Sequence, residues 1–245
     1  MTSTEAGLLI GVGVVAGVIN TLAGGASVLS VPLLVLIGLP GNLANGTNRV
    51  GVLVHNVVAV WRFRVEGVSG IRRSFPVLAP VMLGSTMGAY VVSLVPDHIF
   101  ERLFGVVMIL LVGLMVTGRF SRRTQGSPWT PLQSFLVFAA IGLFGGAFQA
   151  GVGLFIVAAL AYAGYDLVMA NSMKVVVNTA MTATALVVFV ARGQVAWLPG
   201  LVMSLGFAIG AVVGVRLAVK GGERIIRPAL IASMLLLAGR MIGLY

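Results

Sequence analysis

The chain has 245 residues, 59% of them hydrophobic and only 9% charged, with a mean hydropathy of +1.09, a balance far outside that of a soluble globular domain. It contains no cysteine, which excludes disulfides, thiolate catalysis and thiolate metal sites. A formal net charge of +10 would suit a nucleic-acid partner only if it gathered on a soluble face, whereas here it falls mostly in loops between apolar segments, where the positive-inside rule accounts for it.

The amino terminus, Met1 to Glu5, lacks the basic start of a secretory signal, so the first apolar segment is expected to stay in place. Apolar runs broken by Gly, Pro and charge predict helical segments at 7–22, 26–38, 42–61, 74–95, 98–118, 132–147, 151–164, 168–191, 197–219 and 223–244. The first, second, sixth and seventh fall short of the ~20 residues that a helix needs to cross the hydrocarbon core. They form two pairs. One pair meets at Leu22-Ala-Gly-Gly-Ala-Ser27 and the other at Gly145-Gly-Ala-Phe-Gln-Ala-Gly-Val-Gly153, so each reads as a discontinuous or re-entrant element.

The sequence repeats itself. Gly38-Leu-Pro-Gly-Asn-Leu-Ala-Asn45 aligns without gaps on Gly164-Tyr-Asp-Leu-Val-Met-Ala-Asn171, each following a short pair. Further on, Gly84-Ser-Thr-Met-Gly88 falls opposite Gly206-Phe-Ala-Ile-Gly210, and Glu101-Arg102 opposite Glu223-Arg224. Five segments per repeat is an odd number, so the second repeat must enter the membrane from the opposite side, as in many secondary transporters. The expected fold is an all-α polytopic membrane protein. Its single transporter domain spans 1–245, with inverted repeats at about 7–118 and 132–244.

The loops at 62–73 and 119–131 and the turn near 220–227 hold Arg62, Arg64, Arg72, Arg73, Arg119, Arg122, Arg123, Lys220, Arg224 and Arg227, against Arg102 and Arg192 on the other side. The richer side is assigned to the cytoplasm, which places both termini outside the plasma membrane of a prokaryote.

Arg49, Lys174, Arg216 and Arg240 are left inside apolar segments. Arg216 and Arg240 lie near a segment end and can snorkel to the surface. Arg49 and Lys174 sit about two turns, roughly 10 Å at 1.5 Å per residue, into long helices, one position apart in the repeat alignment. Two readings are open for them. They bond the carbonyls of the glycine-rich breaks, or they face a cavity and hold an anion. All six acids, Glu5, Glu66, Asp97, Glu101, Asp166 and Glu223, fall in loops or at helix ends, which favours the anion.

Helices starting after Gly24-Gly25 and Gly151–Gly153 would point N–H groups into such a cavity, with Ser27 as the hydroxyl there, although glycine breaks also serve close packing alone. Asn45, Asn48, Asn56, Asn171 and Asn178, with Asn20 and Gln149 beside the breaks, must be satisfied by protein, water or substrate. His55 is a candidate proton relay or a hydrogen-bonded packing residue. No nucleotide-binding loop, intramembrane carboxylate pair or metalloprotease pattern is present.

The run from Ala23-Gly-Gly-Ala-Ser27 through Pro32 to Asn45-Gly-Thr-Asn-Arg49, with Trp61-Arg-Phe63 after it, resembles the TauE/SafE sulfite-exporter family. Gln149-Ala-Gly-Val-Gly153 and Ala170-Asn-Ser-Met-Lys174 resemble the second signature of that family, so the likeness spans nearly the whole chain. Ala26 departs from it, standing where a third glycine is common. The resemblance implies a secondary transporter, an exporter of sulfite or small organosulfur anions such as sulfoacetate. The expected substrate-binding set is Arg49, Lys174, Ser27, Asn45, Asn48, Gly24, Gly25, Gln149, Asn171 and Asn178, with no cofactor and no metal. Partners would be the anion and lipid, with no nucleic acid, and self-association is left open. The competing classes are a cation or metal transporter, another anion or organic-acid carrier, and a membrane-embedded enzyme or scaffold.

Overall fold

The computed structural model describes residues 2–116 and 129–220, and every regular element among them is helical. In chain order these are α1 (Ser3–Ala23), α2 (Ser27–Leu36), α3 (Gly41–Val65), α4 (Ile71–Ser93), α5 (Asp97–Val116), α6 (Pro131–Ala147), α7 (Val152–Tyr162), α8 (Leu167–Ala191) and α9 (Trp197–Val219). The expected last segment at 223–244, with Glu223, Arg224, Arg227 and Arg240, lies outside the described residues, as do Arg119, Arg122 and Arg123. Helices α1, α4, α8 and α9 are each long and apolar enough to cross a membrane.

Two boundaries are corrected, and one of them is the end of α3, which runs to Val65 and puts Arg62 and Arg64 in its last turn rather than in a loop. The first segment was predicted at 7–22 and too short to span, but α1 has 21 residues. The start lies earlier because Thr2 accepts from the Glu5 N–H while the Glu5 carboxylate accepts from the Thr2 N–H, a capping box that adds a polar first turn. Helices α2 and α7, with 10 and 11 residues, are short as expected. Thr130 and Gln133 cap α6 in the same way as Thr2 and Glu5, with Pro131 opening the helix.

The duplication governs packing. Helix α1 lies along α9 as α6 lies along α4, and α3 packs on α9 as α8 packs on α4. Both long seams join glycines spaced four apart. Gly13 and Gly17 face Gly206 and Gly210, while Gly142 and Gly146 face Val81 and Ser85 beside Gly84 and Gly88. Absent side chains let the backbones approach, so dispersion contacts replace the hydrophobic drive that lipid does not supply.

The register of these contacts gives direction. Residue numbers rise together along α1 and α9, along α6 and α4, along α3 and α9 (Thr47 by Ala196, Gly51 by Phe207), and along α4 and α8 (Gly70 by Met173, Ser85 by Met181). Those pairs are parallel. Helices α3 and α4 run oppositely, because the α4 end returns to the α3 start, where Asn42 Nδ2 donates to Val95 O at 2.6 Å. Hence α1 opposes α6, α3 opposes α8 and α4 opposes α9, the inverted arrangement that an odd number of segments requires.

Candidate functional site

The two chain breaks meet at the centre of this arrangement. Helix α1 ends on Gly24, whose φ of 68° lies in the left-handed region, and α7 begins after Gly151, at φ 65°. Gly24 and Gly153 touch through their backbones: a Cβ on Gly24 would stand 2.4 Å from the Gly153 Cα. No side chain caps the N-terminus of α2 or of α7.

A helix end buried away from water leaves carbonyls needing donors and the negative end of its dipole needing a cation. Each repeat supplies the other. Lys174 on α8 sends its ammonium to the α1 end, donating to Asn20 O at 3.0 Å and Thr21 O at 2.7 Å. Arg49 on α3 sends its guanidinium to the α6 end, where Nη1 and Nη2 reach Gly145 O at 3.3 Å each and Nη2 also donates to Gly146 O. Asn45 Nδ2 donates to Ala147 O at 2.8 Å on the same end. Of the two readings open at the sequence, carbonyl capping is therefore present in this structure, and it runs across the repeats.

Both cations are buried, Arg49 at 0% and Lys174 at 2% exposure. Arg49 also lies over the Phe189 ring, 4.8 Å from its centroid, a cation–π contact. Among the described residues the Arg49 head meets carbonyls, an amide and this ring, while its Nε, also buried, has no acceptor.

A buried amide and hydroxyl chain joins the two caps. Arg49 Nη1 donates to Gln149 Oε1 at 2.8 Å. Gln149 Nε2 donates to Asn178 Oδ1 and Thr182 Oγ1, both at 3.0 Å. Asn178 Nδ2 reaches Asn56 Oδ1 at 3.4 Å. His55 Nδ1 lies 3.2 Å from the same oxygen and 3.0 Å from Asn20 Nδ2, and the Asn20 carbonyl holds Lys174. Gln149 is the non-glycine residue held in the left-handed region among the described residues, at φ 62°. Such a residue costs about 1–2 kcal/mol, and its side chain, turned to Arg49, Asn178 and Thr182, offsets that strain.

The remaining expected residues fall into two groups. Asn48 joins α3 to α2 by donating to Ser27 Oγ at 2.8 Å and accepting from Ser30 at 2.5 Å, so the Ser27 hydroxyl is engaged by an amide. Gly25 accepts the Val28 N–H at 3.1 Å in the first turn of α2. Asn171 lies one turn before Lys174, its buried Oδ1 without a donor among the described residues. Arg216 is exposed in the last turn of α9. Thr21, Thr182 and Phe189 were not singled out from the sequence. Thr182 could have been, since it follows Asn178 by four residues and shares its helix face.

An inverted helical duplication, broken at its centre and carrying buried cations, has the architecture of a polytopic membrane transporter. The family profile described as "Sulfite exporter TauE/SafE" matches residues 9–241, and the chain belongs to that family. Among its relatives are a "Probable membrane transporter protein ORF9" of Sinorhizobium, 27% identical over 94% of this chain and 89% of its own length, and a "Probable membrane transporter protein" of Haemophilus influenzae, 26% identical over 96% and 93%. The "Probable membrane transporter protein YfcA" of Escherichia coli K12 is 25% identical over 96% of this chain and 89% of its own length.

Proposed function

We propose that the protein exports small sulfur-containing anions, sulfite or sulfoacetate, across the plasma membrane by alternating access. The observation that carries this reading is the pair of buried donors on α3, Arg49 Nε and Asn56 Nδ2, that find no acceptor among the described residues. A buried unpaired donor costs about 1–3 kcal/mol, and an oxyanion offers several acceptor oxygens to such groups. The second support is that both caps bridge the repeats. Parting the repeats at one end withdraws Arg49 or Lys174 from its carbonyls, and the released cation takes the anion in their place. Arg49 can meet two oxygens at once through its planar fork, whereas Lys174 offers a point charge.

Sidedness follows from charge. Arg62, Arg64, Arg72 and Arg73 cluster around the α3 end and α4 start, and Lys220 follows the α9 end on the same side, so that end faces the cytoplasm. Lys174 lies toward it and Arg49 toward the exterior.

Proteoliposome flux with a panel of anions tests the reading. The wild type should move sulfite or sulfoacetate, Arg49→Lys should slow that flux about tenfold while preserving charge, and Lys174→Gln should abolish it. Thermal unfolding of the same variants in detergent separates transport from capping, because the Arg49→Lys protein should stay folded and lose stabilisation by the anion. Flux of a divalent metal without any sulfur oxyanion would replace this reading with a cation carrier.

A further inference from the structure

We propose that His55 is a proton-binding site linked to the anion, so that proton and anion bind together and cross together. The proposal rests on the anion reading of the same site. His55 is fully buried on α3, and its two ring nitrogens have unlike surroundings. Nε2 lies 2.9 Å from Gly17 O. A carbonyl only accepts, so Nε2 carries a hydrogen in both charge states, with the Thr21 hydroxyl beside it at 3.0 Å donating in turn to Gly17 O at 3.2 Å.

Nδ1 is therefore the atom that gains or loses the proton. It stands 3.0 Å from Asn20 Nδ2, a donor that serves the neutral ring, and 3.2 Å from Asn56 Oδ1, an acceptor that serves the protonated ring. Both states have a partner in place, and exchanging them needs only rotation of the Asn20 amide. A histidine that merely packs needs a partner set for one state.

The charges around the ring link it to the anion. Helix α1 presents Gly17, Asn20 and Thr21 to it, and α9 presents the edge-on Phe207 ring at 6.0 Å, none of them charged. Helix α8 brings Lys174, whose ammonium rests on the carbonyls of the same Asn20 and Thr21 that flank the imidazole. Helix α3 itself carries Arg49, six residues before His55. A proton on Nδ1 thus adds a third positive charge to a buried group of two, which an anion among them offsets. Linkage is reciprocal, so a bound anion strengthens proton binding and a bound proton strengthens anion binding by the same factor. The proton also claims Asn56 Oδ1, which Asn178 otherwise uses to connect through Gln149 to Arg49. That gives the ring a route to the cation that meets the substrate.

The probe is sulfoacetate, since its sulfonate and carboxylate both stay ionised from about pH 6 to 8 and any pH dependence then belongs to the protein. Affinity measured calorimetrically on the purified protein should tighten as pH falls, by up to about tenfold per pH unit for one linked proton. His55→Gln and His55→Asn should bind with an affinity that no longer changes with pH. A pH-sensitive dye inside wild-type proteoliposomes should report acidification when sulfoacetate enters, and needs no variant to fold. Binding by the wild type that is independent of pH, pH dependence kept in the His55 variants, or flux without proton movement overturns the proposal alone. Failure to bind sulfoacetate at any pH overturns the anion reading and this proposal with it.

Discussion

Thr47 and Ser172 perform the same task at opposite ends of the molecule. The Thr47 hydroxyl on α3 accepts the Ala196 N–H at 2.8 Å, at the start of α9, and the Ser172 hydroxyl on α8 accepts the Gly70 N–H at 2.9 Å, at the start of α4. Each ties the third helix of one repeat to the fourth helix of the other. Both ties are made in this structure, so each end holds a hydrogen bond between the repeats.

The proposed alternating access requires one of these ties to break while the other holds. Thr47→Val keeps the shape and removes the acceptor, leaving a backbone N–H unpaired at a cost of about 1–3 kcal/mol, enough to shift an open-to-closed ratio by about 5- to 150-fold. It should open the Asp97 and Gln194 end, and Ser172→Ala should open the Val68 and Gly70 end. The chain has no cysteine, so a single Gln194→Cys or Val68→Cys reporter can be labelled with a maleimide from one side. Thr47→Val should speed labelling at the first position and Ser172→Ala at the second. Unchanged labelling at both would show that these hydroxyls do not hold the repeats together.

The contact between Gly24 and Gly153 allows a sharper test of the central packing. A Cβ on Gly24 would lie 2.4 Å from the Gly153 Cα, and one on Gly153 would lie 2.5 Å from the Gly24 Cα, distances at which backbone must move. Gly24→Ala and Gly153→Ala should each destabilise by about 1–3 kcal/mol through overpacking, with Gly24→Ala the worse because its φ of 68° adds about 1 kcal/mol for a residue with a Cβ. Both substitutions force apart the same two strands of backbone, so the double variant should lose less than the sum of the singles. Thermal unfolding in detergent measures all three, and a Gly153→Ala protein as stable as the wild type would contradict the close approach.

Much of this centre is legible in the sequence, for a physical reason. Arg49 and Lys174 stand out because a charge inside an apolar run has few ways to be satisfied, and the breaks stand out because clustered glycines cannot sustain a helix. That those cations bond carbonyls of the glycine-rich breaks is one of the two readings the sequence leaves open, but which break each one reaches is not legible. Arg49 finds its carbonyls 96 and 97 residues away, and Lys174 finds its own 153 and 154 away, and no local pattern encodes an exchange between repeats. The glycines facing each other along α1 and α9 were half visible: Gly206 and Gly210 were matched to Gly84 and Gly88, but Gly13 and Gly17 looked like ordinary apolar sequence. The early start of α1 was missed because Thr2 and Glu5 are polar, and the period of apolar residues begins only after them.

Orientation in the membrane is the last consequence of the duplication. Helices α3 and α8 correspond by sequence and run oppositely, with Arg62 and Arg64 in the last turn of α3 and Arg192 alone following α8. The first of these ends carries the excess of arginine, so the positive-inside rule predicts a cytoplasmic placement for it. A reporter enzyme fused after Arg64 should therefore read cytoplasmic, and so should one fused after Arg123. The start of α1 lies by the start of α9, at the opposite end from Arg64, so a reporter before Ser3 should read external. The sequence predicts one more helical segment at 223–244, so a reporter at Tyr245 should also read external. A cytoplasmic signal at Tyr245 would mean that the last segment does not complete a fifth element of the second repeat, and the inverted pairing would then stop at α9.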